Sequence, residues 1–308
     1  MEIYKNHNKV YPTNTNKPIV KEVFNRAKKM GLTAQTVGSI ALSGLRSTVG
    51  ISDVFEEEKK TVNEGLIVFI HGLNDTVKTG NEVYRKEIER LAEGRYEILV
   101  PKVYKKGNCS LEKAAVPILR EVENYIKENP GKPVQLIGHS NGGRIAAYIE
   151  TKLRNKDVDI RVTGIAGIFL GSDLVTLSHT AGVVDFLNST GLTRLFFDPT
   201  LLKELKSNSI TSLVLINDMR KKITNGSREY TFYATSNDLA IPNYTSCLPV
   251  INQGEEHILL SGYDHIGIQK AVCKEEIEKV LRFMKNHKLA GNTYSPDFFP
   301  SNLAIISA

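Results

Sequence analysis

The chain is expected to fold as an α/β domain with a mostly parallel central sheet, helices on both faces and a helical cap insertion. Three observations predict this. Leu66-Ile67-Val68-Phe69-Ile70 is a continuous apolar run of strand length, as a strand buried on both faces requires. Further strand-like runs, Tyr96–Val103, Val134–Ile137 and Val162–Leu170, alternate with stretches of helical length and period. Such alternation implies parallel strands joined by helical crossovers. Between residues 174 and 210 the alternation is interrupted by an unusually apolar, helix-patterned segment.

The elements follow in order. Residues 1–18 are polar, Asn-rich and carry Pro12 and Pro18, as an extended or disordered arm would. In residues 19–51, Ile19, Val20, Val23, Phe24, Ala27 and Met30 recur at helical spacing, with Lys21, Arg26, Lys28 and Lys29 on other faces. This N-terminal helical segment either docks on the main domain or lies on a membrane surface. The main domain is expected over 64–288. A helix is expected at about 81–93 and another at 110–128, opened by Ser110 as N-cap and broken at Pro130-Gly131. A helix at 141–153 follows the third strand. After the insertion, strands are expected at Tyr230–Ala234 and His257–Leu260, then a closing helix at about 267–287 and a tail at 289–308.

Composition excludes several classes. With 41% apolar and 24% charged residues in 308, the chain can bury a core without staples. Cys109, Cys247 and Cys273 are far apart and make no metal-binding spacing. Net charge is +6, but the basic residues are scattered and aromatics do not interleave with them, which argues against nucleic acid as a partner. The first residues lack the apolar core of a secretory signal, and no apolar stretch reaches membrane-spanning length. A cytoplasmic protein is expected, with peripheral membrane contact through 19–51 as the alternative.

The chemistry is carried by four segments. Gly138-His139-Ser140-Asn141-Gly142 is a G-x-S-x-G placed where an apolar strand ends and a helix opens. There the turn is too tight for side chains on both flanks, and the helix N-terminus favours developing negative charge. Ser140 is therefore the candidate nucleophile. A serine hydroxyl needs a histidine to take its proton, and that histidine needs an orienting carboxylate. His265, in Ser261–Ile268 between the last strand and the last helix, reaches the sheet edge where Ser140 lies; His257 is the alternative, while His179 and His287 are poorly placed. Asp238, just past Tyr230–Ala234, is the candidate acid; Asp173, after the preceding strand, competes with it. Asp264 abuts His265, and adjacent residues rarely make the orienting bond. The fourth segment is Phe69-Ile70-His71-Gly72-Leu73, which ends the first buried strand.

Together these segments, spanning about residues 64–287, resemble the α/β-hydrolase superfamily, and within it the lipase and GPI-inositol-deacylase-like group. The resemblance implies a Ser–Asp–His triad of Ser140, Asp238 and His265. It implies an oxyanion hole from the backbone N–H groups of Leu73 and Asn141, with His71 structural. It implies ester or thioester hydrolysis through an acyl-enzyme, with no metal or organic cofactor required. Two departures stand out: Asp173-Leu174 occupies the place where the group often has Pro-His, and Asn141 the place where it often has Met or Gln. The cap leucines and Phe196-Phe197 suggest an acyl-chain pocket, which favours a lipid or long-chain acyl ester. They equally suit packing of the cap on the core. An acyltransferase with the same triad, or a non-catalytic binding protein, is the competing reading.

Overall fold

The structure is a computed structural model that describes residues 63–73, 84, 86–88, 94–154, 157–173, 175–176, 197–222 and 224–290. The polar arm 1–18, the helical segment 19–51 and most of the cap call at 174–210 lie outside these residues, as does the tail beyond Ala290. Six strands form one sheet: β1 (Leu66–Ile70), β2 (Glu97–Leu99), β3 (Val134–His139), β4 (Ile160–Ile165), β5 (Arg228–Thr235) and β6 (Glu256–Leu260). Their order is β2-β1-β3-β4-β5-β6, and every neighbouring pair is parallel. The chain winds outwards in one direction from β1 and in the other from β3. In sheets of this kind ligands bind beyond the strands' carboxyl ends, where the winding reverses.

Alternate strand residues serve opposite faces. Leu66, Val68, Ile70, Val134 and Leu136 pack on α1 (Leu111–Glu128) and α2 (Asn141–Lys152) through Ala114, Ile118, Ile145 and Ile149. Ile67, Phe69, Ile137 and Tyr233 pack on α5 (Gly267–Ala290) through Ile268, Val272, Ile277 and Phe283. Covering both faces is what makes β1 apolar at every position. Ser110 caps α1 as expected, accepting the Lys113 N–H at 3.4 Å.

The α5 face also holds a polar cluster. The Arg161 guanidinium, buried within the sheet, donates to Glu276 Oε1 at 2.5 Å and Oε2 at 3.0 Å, to Gln135 Oε1 at 3.1 Å and to Thr231 Oγ1 at 2.9 Å. Thr163 and Tyr233 donate to the same carboxylate. A charge removed from water survives only when paired and hydrogen-bonded, and this one is both.

Three expectations need correction. The second strand is short, Glu97–Leu99 rather than Tyr96–Val103. Pro101 has no N–H to give a ladder, and the chain then turns through Lys105 and Lys106 at φ 48° and 52°. The fourth strand ends at Ile165, not Leu170, because Ala166 takes φ 47° and Phe169 folds back over β4. A Cβ on Gly164 would lie 2.6 Å from the Phe169 ring, so only glycine admits it. Finally, a helix absent from the sequence reading, α4 (Ile210–Lys221), follows the short α3 (Pro199–Glu204). Its exposed Ile210, Leu213 and Val214 lie opposite buried Leu215, Ile216 and Met219, so no single apolar stripe marks it.

Candidate active site

Four carboxyl-edge segments meet at the end of β3. Ser140 follows His139 directly and has φ 55°, ψ −127°, a conformation L-residues rarely adopt. The surroundings enforce it. A Cβ on Gly138 would lie 2.1 Å from the Gly142 carbonyl oxygen, and one on Gly142 would lie 2.2 Å from the Ile70 carbonyl oxygen. Both glycines of the motif are thus required by close backbone approach. The Ser140 N–H donates to the Ile165 carbonyl at 2.9 Å, and the serine side chain makes no bond capping α2. Its hydroxyl is therefore not committed to the helix it precedes.

Asp238 follows β5 and is buried. Its Oδ1 accepts the backbone N–H groups of Ala240 at 2.8 Å and Ile241 at 2.9 Å, and its Oδ2 lies 2.6 Å from His265 Nδ1. Burial alone would push this carboxyl up. The adjoining His265 and the two backbone donors outweigh burial and hold it below the usual carboxylate range. A carboxylate can only accept, so His265 carries its neutral-form proton on Nδ1 and presents Nε2 as the basic nitrogen.

The competing groups are engaged elsewhere. Asp173 is exposed and accepts a hydrogen bond from the Ser207 hydroxyl. His257 Nε2 donates to the Pro249 carbonyl at 2.9 Å, and its ring faces Phe232. His287 sits between Asp159 and Glu229. Asp264 accepts the Gly267 N–H at 2.5 Å at the start of α5. His179 lies outside the described residues.

Leu73 and Asn141 come together around Gly107. A Cβ there would lie 3.4 Å from Asn141 Nδ2 and 3.8 Å from Leu73 Cα. A Cβ on Gly72 would lie 3.0 Å from Ser140 Cβ, so the His71-Gly72-Leu73 turn passes directly against the serine. Asn141 is braced on its other side by Arg144, whose Nη1 donates to Asn141 Oδ1 at 3.4 Å while Nη2 donates to the Glu204 carbonyl at 3.3 Å. Burial lowers this arginine to about 10, which still leaves it charged at neutral pH. His71 is buried, with Nδ1 2.9 Å from the Gly72 carbonyl. Phe197 is half-buried beside α3, and Phe196 lies outside the described residues.

Two neighbours of the serine escaped the sequence reading. His139 lies within the motif and Arg144 two residues past it, and the even–odd alternation of β3 sends His139 to the same face as Ile137, towards the His265 loop. Among the described residues no group of three or more His, Cys, Asp and Glu side chains could hold a metal ion. In the same residues no helix is long and apolar enough to cross a membrane.

Comparison with known proteins agrees with this arrangement at the level of fold. No protein-family model matches the chain. A triacylglycerol lipase of Vibrio cholerae serotype O1 is 31% identical over 133 residues, which is 42% of this chain and 41% of the lipase. The match thus spans less than half the length of that curated relative. Among solved structures, one described under "LipS and LipT, two metagenome-derived lipolytic enzymes" superposes with a TM-score of 0.51 at 11% identity, over 74% of this chain and 96% of that one. An esterase of Pyrococcus furiosus gives 0.49 at 14% identity, over 73% and 82%.

Proposed function

We propose that this chain, which has the α/β-hydrolase fold, is a carboxylic ester hydrolase working through an acyl-enzyme on Ser140. The observation that carries the reading is the Asp238–His265 pair, 2.6 Å apart across two loops, with the His265 loop anchored beside a serine held at positive φ. His265 Nε2 takes the Ser140 proton as Oγ attacks the ester carbonyl. The oxyanion accepts the backbone N–H groups of Leu73 and Asn141 at the N-terminus of α2, donors aimed where charge develops. His265 then protonates the leaving alkoxide. Water, deprotonated by the same nitrogen, releases the acid and restores the serine. Asp238 fixes the imidazole tautomer and stabilises the imidazolium that forms twice per turnover.

The likeness to a triacylglycerol lipase supports a lipid or long-chain acyl ester as substrate, and Phe197 would contribute to the wall against its acyl chain. Labelling with a fluorophosphonate probe followed by peptide mapping tests the mechanism. Modification of Ser140, coupled to loss of p-nitrophenyl ester hydrolysis, is expected. A folded protein that neither labels nor cleaves short or long acyl esters would overturn it. A series of p-nitrophenyl esters of rising chain length tests the substrate class, with kcat/KM expected to rise with length.

A further inference from the structure

His139, the residue before the serine, is buried, and its Nε2 lies 2.8 Å from the main-chain carbonyl oxygen of His265. The two rings are 4.9 Å apart and tilted by 46°. A carbonyl oxygen only accepts, so Nε2 is the protonated nitrogen. Nδ1 is then a lone pair, and it has no hydrogen-bond partner among the described residues. A buried unsatisfied acceptor is destabilising, so apolar packing alone would not select histidine here. What this side chain gains is the bond to His265.

From this we infer that His139 is a positioning residue: through Nε2–H it holds the main chain of His265 in register with Ser140. The inference rests on the hydrolase reading above and deepens it.

The His265 loop is held on its flanks by other elements. The Thr235 hydroxyl donates to the Tyr263 carbonyl at 2.8 Å, and the Gly262 N–H donates to Asn237 Oδ1 at 2.6 Å. Both ties lead to the end of β5 and the turn that follows it, which also bears Asp238. They align the base with its acid and say nothing of the nucleophile. The His139 bond differs, since it runs to β3 and is attached one peptide away from Ser140. The chain's own covalent geometry then relates the nucleophile to the base. Burial, with the neighbouring His265 acting in the same direction, drives His139 down to about 3, so it stays neutral and adds no charge beside the base. A Cβ on Gly72 would come within 3.3 Å of His139 Nδ1, so the turn after β1 closes over the ring and fixes its orientation.

The test uses the full chain and compares His139→Gln with His139→Asn. The glutamine amide reaches about as far as Nε2 and restores the donor, whereas the asparagine amide stops near Nδ1. His139→Leu removes the donor altogether. In His139→Asn and His139→Leu, kcat on a soluble short-chain ester should fall about 10- to 100-fold with KM little changed, because misplacement by about an ångström costs about that much. Fluorophosphonate labelling should slow in parallel. The downfield proton resonance of the His265–Asp238 bond should broaden in both. His139→Gln should recover kcat to within about fivefold and keep the sharp resonance. If His139→Leu does not fold, the Asn and Gln pair decides the matter. Equal kcat in Asn and Gln at matched melting temperatures, or wild-type labelling by His139→Asn, would overturn the inference while leaving the hydrolase reading intact. A wild-type chain that does not label at all would instead remove the reading beneath it.

Discussion

Two polar clusters of the sheet, one on its α5 face around Arg161 and one at its carboxyl edge around Ser140, are built on opposite principles. Around Arg161, donors and acceptors answer one another: both carboxylate oxygens of Glu276 are engaged, with Gln135, Thr163, Thr231 and Tyr233 closing the set. Around Ser140, capacity is left over: the serine does not cap its helix, His265 presents a basic nitrogen and His139 Nδ1 has no partner. A saturated cluster has one arrangement and contributes to holding the fold. An unsaturated one costs stability and leaves groups able to react.

That contrast can be broken by mutation. Ser140→Ala should lower turnover by about a millionfold, as loss of a triad nucleophile does, and leave the melting temperature within a few degrees of wild type. Steady-state kinetics beside calorimetry checks it; retention of more than about a hundredth of the turnover would move the nucleophile elsewhere. Asp238→Asn should cost about four orders of magnitude, since the amide misorients His265, while Asp173→Asn should cost less than about threefold. Measuring both at one pH settles the ranking, and the reverse order would move the acid to Asp173, in the segment that follows β4.

Glu276→Gln should do the opposite. It strips the carboxylate from a buried guanidinium and should cost about 3–5 kcal/mol in urea unfolding, with kcat per folded molecule unchanged. A fall in kcat matching the loss of stability would mean that the two clusters act as one.

The smallest effect expected is one of pH. His139 is held down to about 3 in the folded chain, against about 6.5 when exposed. Below about pH 6.5 the unfolded chain therefore binds a proton that the folded chain refuses. The stability associated with neutral His139 is present in full above that pH and is lost as pH falls towards 3. Urea midpoints at pH 7 and pH 5 should differ more in wild type than in His139→Gln. Equal differences would show that His139 is not the group responsible.

The strands and their order along the chain were legible because period is a local property. An all-apolar Leu66–Ile70 admits little but a strand covered on both sides, and glycines flanking a serine at a strand–helix junction mark a turn that sterics alone dictate. Ser140 and the placement of His265 follow from such short-range constraints. The limits of β2 and β4 did not, because Pro101, Ala166 and Phe169 end those strands through backbone turns and through one ring folding back on Gly164, five residues before it. Nor did α4, whose exposed apolar residues erase the helical stripe. The choice between Asp238 and Asp173 is likewise tertiary: each follows a strand in the same way, and only the meeting of the two loops after β5 and β6 puts one of them 2.6 Å from His265. Arg161 with Glu276, 115 residues apart, and His139 with His265, 126 apart, were invisible in the sequence for the same reason. A hydrogen bond between distant segments leaves no periodic trace in either of them, and only the register of the packed sheet brings its partners within reach.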